Sequence, residues 1–249
     1  MHLPFEILVV IGIVGFYIYD SAYLYFYNEF NLTKGLFKHF NAQPSSKKLN
    51  FLHRYLVLPN LFLPHHLTFK CTWNVKKLEL LMHVDDIHFI NTISKILKPL
   101  QFVNILLFML TLFCLPVIFW FQGGYTLLAI TIILIYLLNI MTLITISIQR
   151  KVLKLSWSKL FQFLLDVLLC PPFALNILRK ISLNYKVQTD GLLIVESMLN
   201  PEDYQTFLDN ILKEIHVLKM ASSEKDLVLL EFKEQQIHAF KHIESNRKE

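Results

Sequence analysis

The chain has 249 residues, 54% of them hydrophobic and 17% charged, a net charge of +5 and a mean hydropathy of +0.46. It is more apolar and less charged than an ordinary soluble domain. Three scattered cysteines (Cys71, Cys114, Cys170) with no metal-ligand spacing read as unpaired thiols, and six glycines, two of them in one turn, exclude a phosphate-cradling loop.

Leu3 to Tyr19 is the first apolar segment, interrupted only by Glu6. No Lys or Arg precedes Lys34 and no small-residue cleavage site follows, so the segment reads as an uncleaved anchor, residues 1–27, rather than a signal peptide. It is short for a span, and the aromatic run Tyr17, Tyr19, Tyr23, Tyr25, Phe26 and Tyr27 is expected to prolong it as an interfacial belt. Asp20, at that boundary, is expected to face water or a lysine.

Residues 28–99 carry ten Lys/Arg against four Asp/Glu, the bias of a cytoplasmic segment, which makes the first span N-out. Asn41 to Asn50 reads as a turn or loop. Phe51–Val57 and His66–Trp73 suit short strands between prolines, and the same letters suit an amphipathic stretch along the membrane surface. From Val75 the apolar spacing turns helical through Leu78, Leu81, Met82, Ile87, Ile90, Ile93, Ile96 and Leu97.

Between Lys98 and Arg150 there is no Asp, Glu, Lys, Arg or His. A span needs roughly 20 apolar residues, so the stretch amounts to two spans and a turn at Gln122-Gly123-Gly124, a hairpin over residues 100–148. Phe102–Phe121 and Tyr125–Ile148 are the expected helices, with a kink at Pro116. In the second of these, Thr131, Asn139, Thr142, Thr145 and Gln149 fall on one face, suited to packing against another helix or to a hydrophilic pathway.

Residues 149–180 begin with Arg150, Lys151, Lys154 and Lys159, a basic cluster fit for anionic lipid headgroups, and continue into Leu160–Leu178, broken by Cys170-Pro171-Pro172. That segment reads as interfacial or re-entrant, with Trp157 at headgroup level, rather than as a fourth span. In the tail, residues 181–249, Asn200-Pro201-Glu202-Asp203 starts a helix whose apolar face includes Phe207, Ile211, Ile215 and Leu218. Ser222-Ser223 opens a second helix with a weaker stripe, Leu227, Leu230, Ile237 and Phe240. Two helices bury too little alone, so the pair must dock on the 28–99 region, the membrane surface or another protein.

His83, Asp85, Asp86 and His88 form the best metal-capable cluster, but their i,i+3 spacing is not that of a helical metal pair; no metal or cofactor is expected. LPNLFLPHH (Leu58–His66) and CPPFALNILRK (Cys170–Lys180) stand out as motifs without an activity attached to either. The expected architecture is an all-α integral membrane protein: three transmembrane helices, N-out and C-in, one interfacial or re-entrant segment, short β-strands in 28–99 and a cytoplasmic helical pair. If the source is bacterial, it sits in the inner membrane as a multi-pass protein. The expected role is a non-enzymatic accessory or scaffold subunit holding a protein partner, with Phe207, Ile211, Ile215 and Leu218 as the partner face. A homo-oligomer is the other partner reading, and nucleic acid is not expected. A small transporter or channel subunit using the third span's polar face is the alternative, and a metal-dependent membrane enzyme the third reading.

Overall fold

The computed structural model describes residues 5–37, 39–43, 49–51, 54–74, 84–121, 123–221 and 224–246. These residues are mostly helical, with six short strands in two three-stranded sheets. The chain divides into two compact units. The first comprises Met1–Tyr23, Leu58–Leu67 and Asn91–Tyr185, and the second Leu24–Val57, Thr68–Ile90 and Lys186–Glu249.

The first unit contains α1 (Phe5–Ser21), α3 (Lys98–Met109), a π-turn (Leu110–Cys114), α4 (Leu115–Trp120), α5 (Tyr125–Ile148), α6 (Trp157–Leu169), α7 (Pro171–Ala174) and α8 (Ile177–Leu183). From Lys98 to Trp120 the helix is continuous, and this 23-residue helix and the 24-residue α5 are long and apolar enough to cross a membrane. At 17 residues, α1 is shorter. Where a kink is expected, the helix carries a π-turn. Pro116 has no N–H to give, and the ladder just before it widens to the π register, with Leu115 N–H bonding Leu110 O. Gly124, at φ +81°, then lets the chain enter α5 in a conformation that side chains rarely adopt. Leu160–Leu178 is broken where the two prolines fall, into the 13-residue α6, α7 and the start of α8.

The helical hairpin exposes most of its apolar side chains and buries polar ones beside a smaller apolar set, Ile135, Leu143 and Ile146 on α5. On α5 the buried side chains include Thr131, Asn139 and Thr142, while Ile133, Leu137, Ile140 and Ile144 are exposed. Phe102, Met109, Phe113 and Val117 are exposed on the preceding helix, whose buried face includes Gln101 and Asn104.

Apart from Tyr23 and Leu67, the last residues of their segments in the first unit, the strands belong to the second. β1 (Tyr23–Tyr25), β5 (Arg54–Val57) and β4 (Leu49–Phe51) form one sheet, and β3 (Phe40–Gln43), β2 (Glu29–Lys34) and β6 (Leu67–Thr72) the other. β2 and β3 run antiparallel, Asn31 opposite Gln43 and Lys34 opposite Phe40. The region 28–99 is therefore richer in strand than an all-α reading allows. Asn41 to Asn50, expected as a loop, gives its ends to β3 and β4, and residues 44–48 lie outside the described residues. The expected aromatic belt also needs correction. Tyr17 and Tyr25 are each 2% exposed, and the Tyr25 hydroxyl bonds Asn31 Oδ1 inside the sheet unit. Helix α2 is described over Val84–Ile96; the proposed start at Val75, with Leu78, Leu81 and Met82, lies outside the described residues.

The tail folds as α9 (Gly191–Met198), α10 (Pro201–Ala221) and α11 (Glu224–Asn246). α10 and α11 run antiparallel, joined by ion pairs Lys219–Glu234 at 2.5 Å and Lys241–Asp209. The α10 face has its cover within the unit. Phe207, Ile211 and Ile215 are buried, and the Phe207 ring lies 4.9 Å from that of Phe30 on β2. As a partner face it is therefore already occupied by the chain itself; Leu218 is half-buried. On α11 the apolar stripe is Leu230 and Ile237 with Lys233 buried between them, and the Phe240 side chain lies outside the described residues.

Candidate functional site

The densest polar arrangement in the first unit joins LPNLFLPHH and CPPFALNILRK. Arg179, on α8, is 1% exposed. Its Nη2 donates to the carbonyls of Asn60 at 2.6 Å and Leu63 at 2.8 Å, and its Nη1 to Asn176 Oδ1 at 3.2 Å. Asn176, fully buried, turns its amide N–H groups to Ser21 Oγ at 2.9 Å and Asp20 Oδ2 at 3.1 Å. The Tyr17 hydroxyl donates to Leu61 O at 2.6 Å, so α1 and α8 grip the same proline-flanked turn. Pro59 and Pro64 keep that turn out of helix and strand, and its carbonyls take the side-chain donors beside the turn's own bonds, Leu63 N–H to Asn60 O and His66 N–H to Leu63 O.

The charges nearly cancel locally. Lys180 Nζ lies 2.8 Å from Asp20 Oδ1 and 3.4 Å from Asp166 Oδ2, so Asp20 does face a lysine. No carboxylate lies within ion-pair range of Arg179 among the described residues, and its neutralisation comes from carbonyl dipoles and the nearby acids of this network. Burial pushes the Tyr23 hydroxyl up to about 12, against the opposing pull of Arg179. Burial, and then the Arg179 charge, hold the His65 imidazole below its usual value. The arrangement holds backbone in place; it contains no nucleophile set beside a base.

A second polar spot sits between α3 and α5. Asn104 Nδ2 donates to Leu175 O at 3.1 Å, while its Oδ1 and both amide atoms of Asn139 make no hydrogen bond within the protein. Both side chains line a cavity of about 10 Å³ with Thr142, Leu100, Leu107 and Ala174, room for about one water. Thr131, Thr142 and Thr145 return their hydroxyls to carbonyls four residues back in α5, at 2.9 Å each. The three threonine hydroxyls of the expected polar face are therefore satisfied within their own helix. Thr145 and Gln149 are half-exposed.

In the second unit, Asp86 is buried and accepts from Gln188 N (2.9 Å), Thr189 N (2.7 Å) and Thr189 Oγ1 (2.8 Å). Asp190 caps α9 through Leu192 N and also accepts from Asn74 N. Asp85 and His88 are exposed, and His83 lies outside the described residues. Among the described residues no three His, Cys, Asp or Glu side chains converge as metal ligands. Burial, helped by Asp86 and Asp190, pushes the Cys71 thiol far up, which makes it a poor nucleophile. Of the expected headgroup residues, Lys151, Lys154 and Lys159 are exposed, and the Arg150 guanidinium stacks 4.1 Å from the Trp157 ring centroid.

Sequence reasoning missed Arg179 and Asn176. The signal was a charged and an amide side chain inside an apolar run, beside prolines, which burial turns into hydrogen-bond hubs. Comparison of the chain with protein-family models, with curated proteins and with solved structures finds no match.

Proposed function

We propose that the chain is a multi-pass membrane protein, non-enzymatic, acting as an accessory or scaffold subunit that holds a protein partner at the cytoplasmic face. The observation that carries the membrane reading is α5, which exposes Ile133, Leu137, Ile140 and Ile144 while burying Thr131, Asn139 and Thr142 beside Ile135, Leu143 and Ile146. In water so much exposed apolar surface is unfavourable at roughly 25 cal/mol per Å²; in lipid it is the expected arrangement. α1 serves as the first of three spans, N-out, and the basic bias of residues 28–99 and of Arg150–Lys159 keeps those segments and the tail inside. In a bacterial source this is the inner membrane.

The holding role is supported by apolar side chains that the second unit leaves uncovered on α10 and α11: Val217, Met220, Val228 and Phe232. They replace Phe207, Ile211 and Ile215 as the surface a partner would use. Reporter fusions after Lys98, Arg150 and Glu249 are expected to read cytoplasmic, and one at the N-terminus external. Native mass in mild detergent is expected to exceed the 29.4 kDa of one chain. The mass is expected to fall to the monomer for Val217→Asp with Met220→Asp, with insertion retained. A wild-type monomer in native extracts, or an unchanged assembly in the variant, contradicts the scaffold role.

A further inference from the structure

We propose that α6 lies in the plane of the membrane surface and seats Trp157, Phe161, Leu165 and Leu168 in a leaflet rich in anionic lipid; this rests on reading α5 and the helix before it as spans. At 100° per residue the side chains of α6 separate into three sectors. Leu160, Phe163 and Val167, all buried, occupy about 60° and face the unit's own helices. Trp157, Phe161, Leu165 and Leu168, all exposed, occupy about 80° beside them, and Ser158, Lys159, Gln162 and Asp166 about 100° beyond, joined there by the exposed Leu169 of the last turn. A soluble surface helix has two faces, one apolar and one polar. A second, exposed apolar face has a use where a helix meets protein, lipid and water at once.

Length excludes a crossing. Thirteen residues rise about 20 Å, against a hydrocarbon core of about 30 Å, and Cys170 and the two prolines end the helix there. The turn that delivers α6 is built rather than loose. Leu153 and Leu155 are buried, Leu155 N–H returns to Arg150 O at 3.1 Å, and Arg150 Nη1 donates to Leu155 O at 3.2 Å. Lys154 takes φ +52° to close it. The result displays Lys151, Lys154 and Lys159 around the start of the apolar face, with the Arg150 guanidinium stacked on Trp157. Asp166, the one acidic residue of α6, lies 3.4 Å from Lys180 Nζ, and no other acid occurs from Ile87 to Leu169, so the charge beside the start of this face is net positive. That complementarity selects an anionic leaflet over a second copy of the same basic surface.

The test is spin labelling of the full chain in vesicles, in a Cys114→Ala, Cys170→Ala background; Cys71, buried, stays. Labels go at Phe161, Leu165 and Leu168, at Ser158 and Gln162, and at Ile133 on α5 as the reference for insertion. In vesicles of phosphatidylglycerol and phosphatidylcholine, oxygen is expected to reach the first three labels at one shared shallow depth. A water-soluble nickel chelate is expected to reach Ser158 and Gln162. Depth that increases steadily from Phe161 to Leu168 makes α6 a crossing segment and overturns the proposal. Equal chelate access at all five α6 labels, with Ile133 still in lipid, leaves α6 in water and overturns it too. Label–label broadening on Phe161 would assign the face to a second copy instead. Chelate access at Ile133 would overturn the underlying insertion reading. Lys151→Gln with Lys159→Gln, or phosphatidylcholine alone, is expected to raise chelate access at Phe161 several-fold; no change in either overturns the anionic preference.

Discussion

Arg179 Nη2 lies 2.6 Å from the carbonyl oxygen of Asn60, a residue more than a hundred positions away in the chain. The same nitrogen reaches Leu63 O, so a single guanidinium satisfies two carbonyls of a turn that makes no strand or helix of its own. Arg179→Lys keeps the charge and loses the planar fork. Both carbonyls keep a backbone donor, Leu63 N–H on Asn60 O and His66 N–H on Leu63 O. What is lost is the charge-assisted bonds, about 1.5–3 kcal/mol each, so the lysine variant and Arg179→Met are each expected to lose a few kcal/mol. Thermal unfolding in detergent, followed by circular dichroism, measures both; a lysine variant as stable as the wild type would show that charge alone suffices.

Asn104 and Asn139 face the same small cavity but are expected to respond oppositely to substitution. Asn139 makes no hydrogen bond within the protein, so Asn139→Leu removes an uncompensated amide and leaves no partner behind. It is expected to be neutral or to stabilise by about 1 kcal/mol. Asn104→Leu strips Leu175 O of its donor and is expected to cost about 1–3 kcal/mol. Paired melting curves of the two variants decide it, and equal losses would mean that Asn139 is bonded through a bridging water of real weight.

The α5 helix was legible to the residue because nothing charged interrupts it and Gly124 marks its start. The strands were legible in part: His66–Trp73 holds β6 and Phe51–Val57 holds β5, whereas β1, β2 and β3 gave no signal. They are three to six residues long, and Tyr23 and Tyr25, beside the anchor, read as interfacial aromatics when they are sheet residues. Pairings distant in sequence were equally invisible. Phe207 on Phe30 and Arg179 on Asn60 each join segments from opposite ends of the chain, and local periodicity says that a face needs cover without saying whose. Asp86 illustrates the cost of reading composition alone. Beside two histidines it stood in the best metal-capable cluster, where the spacing argued against a metal but named no other role; its carboxylate accepts three hydrogen bonds from Gln188 and Thr189.

Gly191 opens α9 directly against Phe30. A Cβ there would stand 2.5 Å from Phe30 Cε1 and 3.2 Å from Thr72 O. The ring is packed on Phe207 and the carbonyl belongs to a strand, so neither yields easily. Gly191→Ala is expected to cost about 1–3 kcal/mol by overpacking, the reverse of the usual gain from alanine in a helix. Chemical denaturation of the second unit's signal measures it, and Gly12→Ala in α1, with nothing within 4 Å of its Cβ position, is the matched control that is expected to change little.

His65 carries the expected pH dependence of the first unit. Burial, and then the Arg179 charge, lower its folded-state value below the unfolded value of about 6.5. The neutral imidazole is thus the form that folding favours. Above about 6.5 both states are neutral and the contribution is complete. As pH falls from there toward the folded value, the unfolded chain binds a proton that the folded one refuses, and stability is lost. His65 is half-exposed, so the loss is modest and is partly screened by water. Melting temperatures between pH 7.5 and 5 are expected to fall for the wild type and to fall less for His65→Gln, which retains the backbone carbonyl that accepts from Gln101 Nε2. Parallel curves for the two proteins would assign the acid sensitivity to another group. Because Arg179 is part of the cause, Arg179→Met is expected to move the His65 midpoint upward. Histidine chemical shifts followed through a pH titration read that displacement directly, apart from any loss of stability.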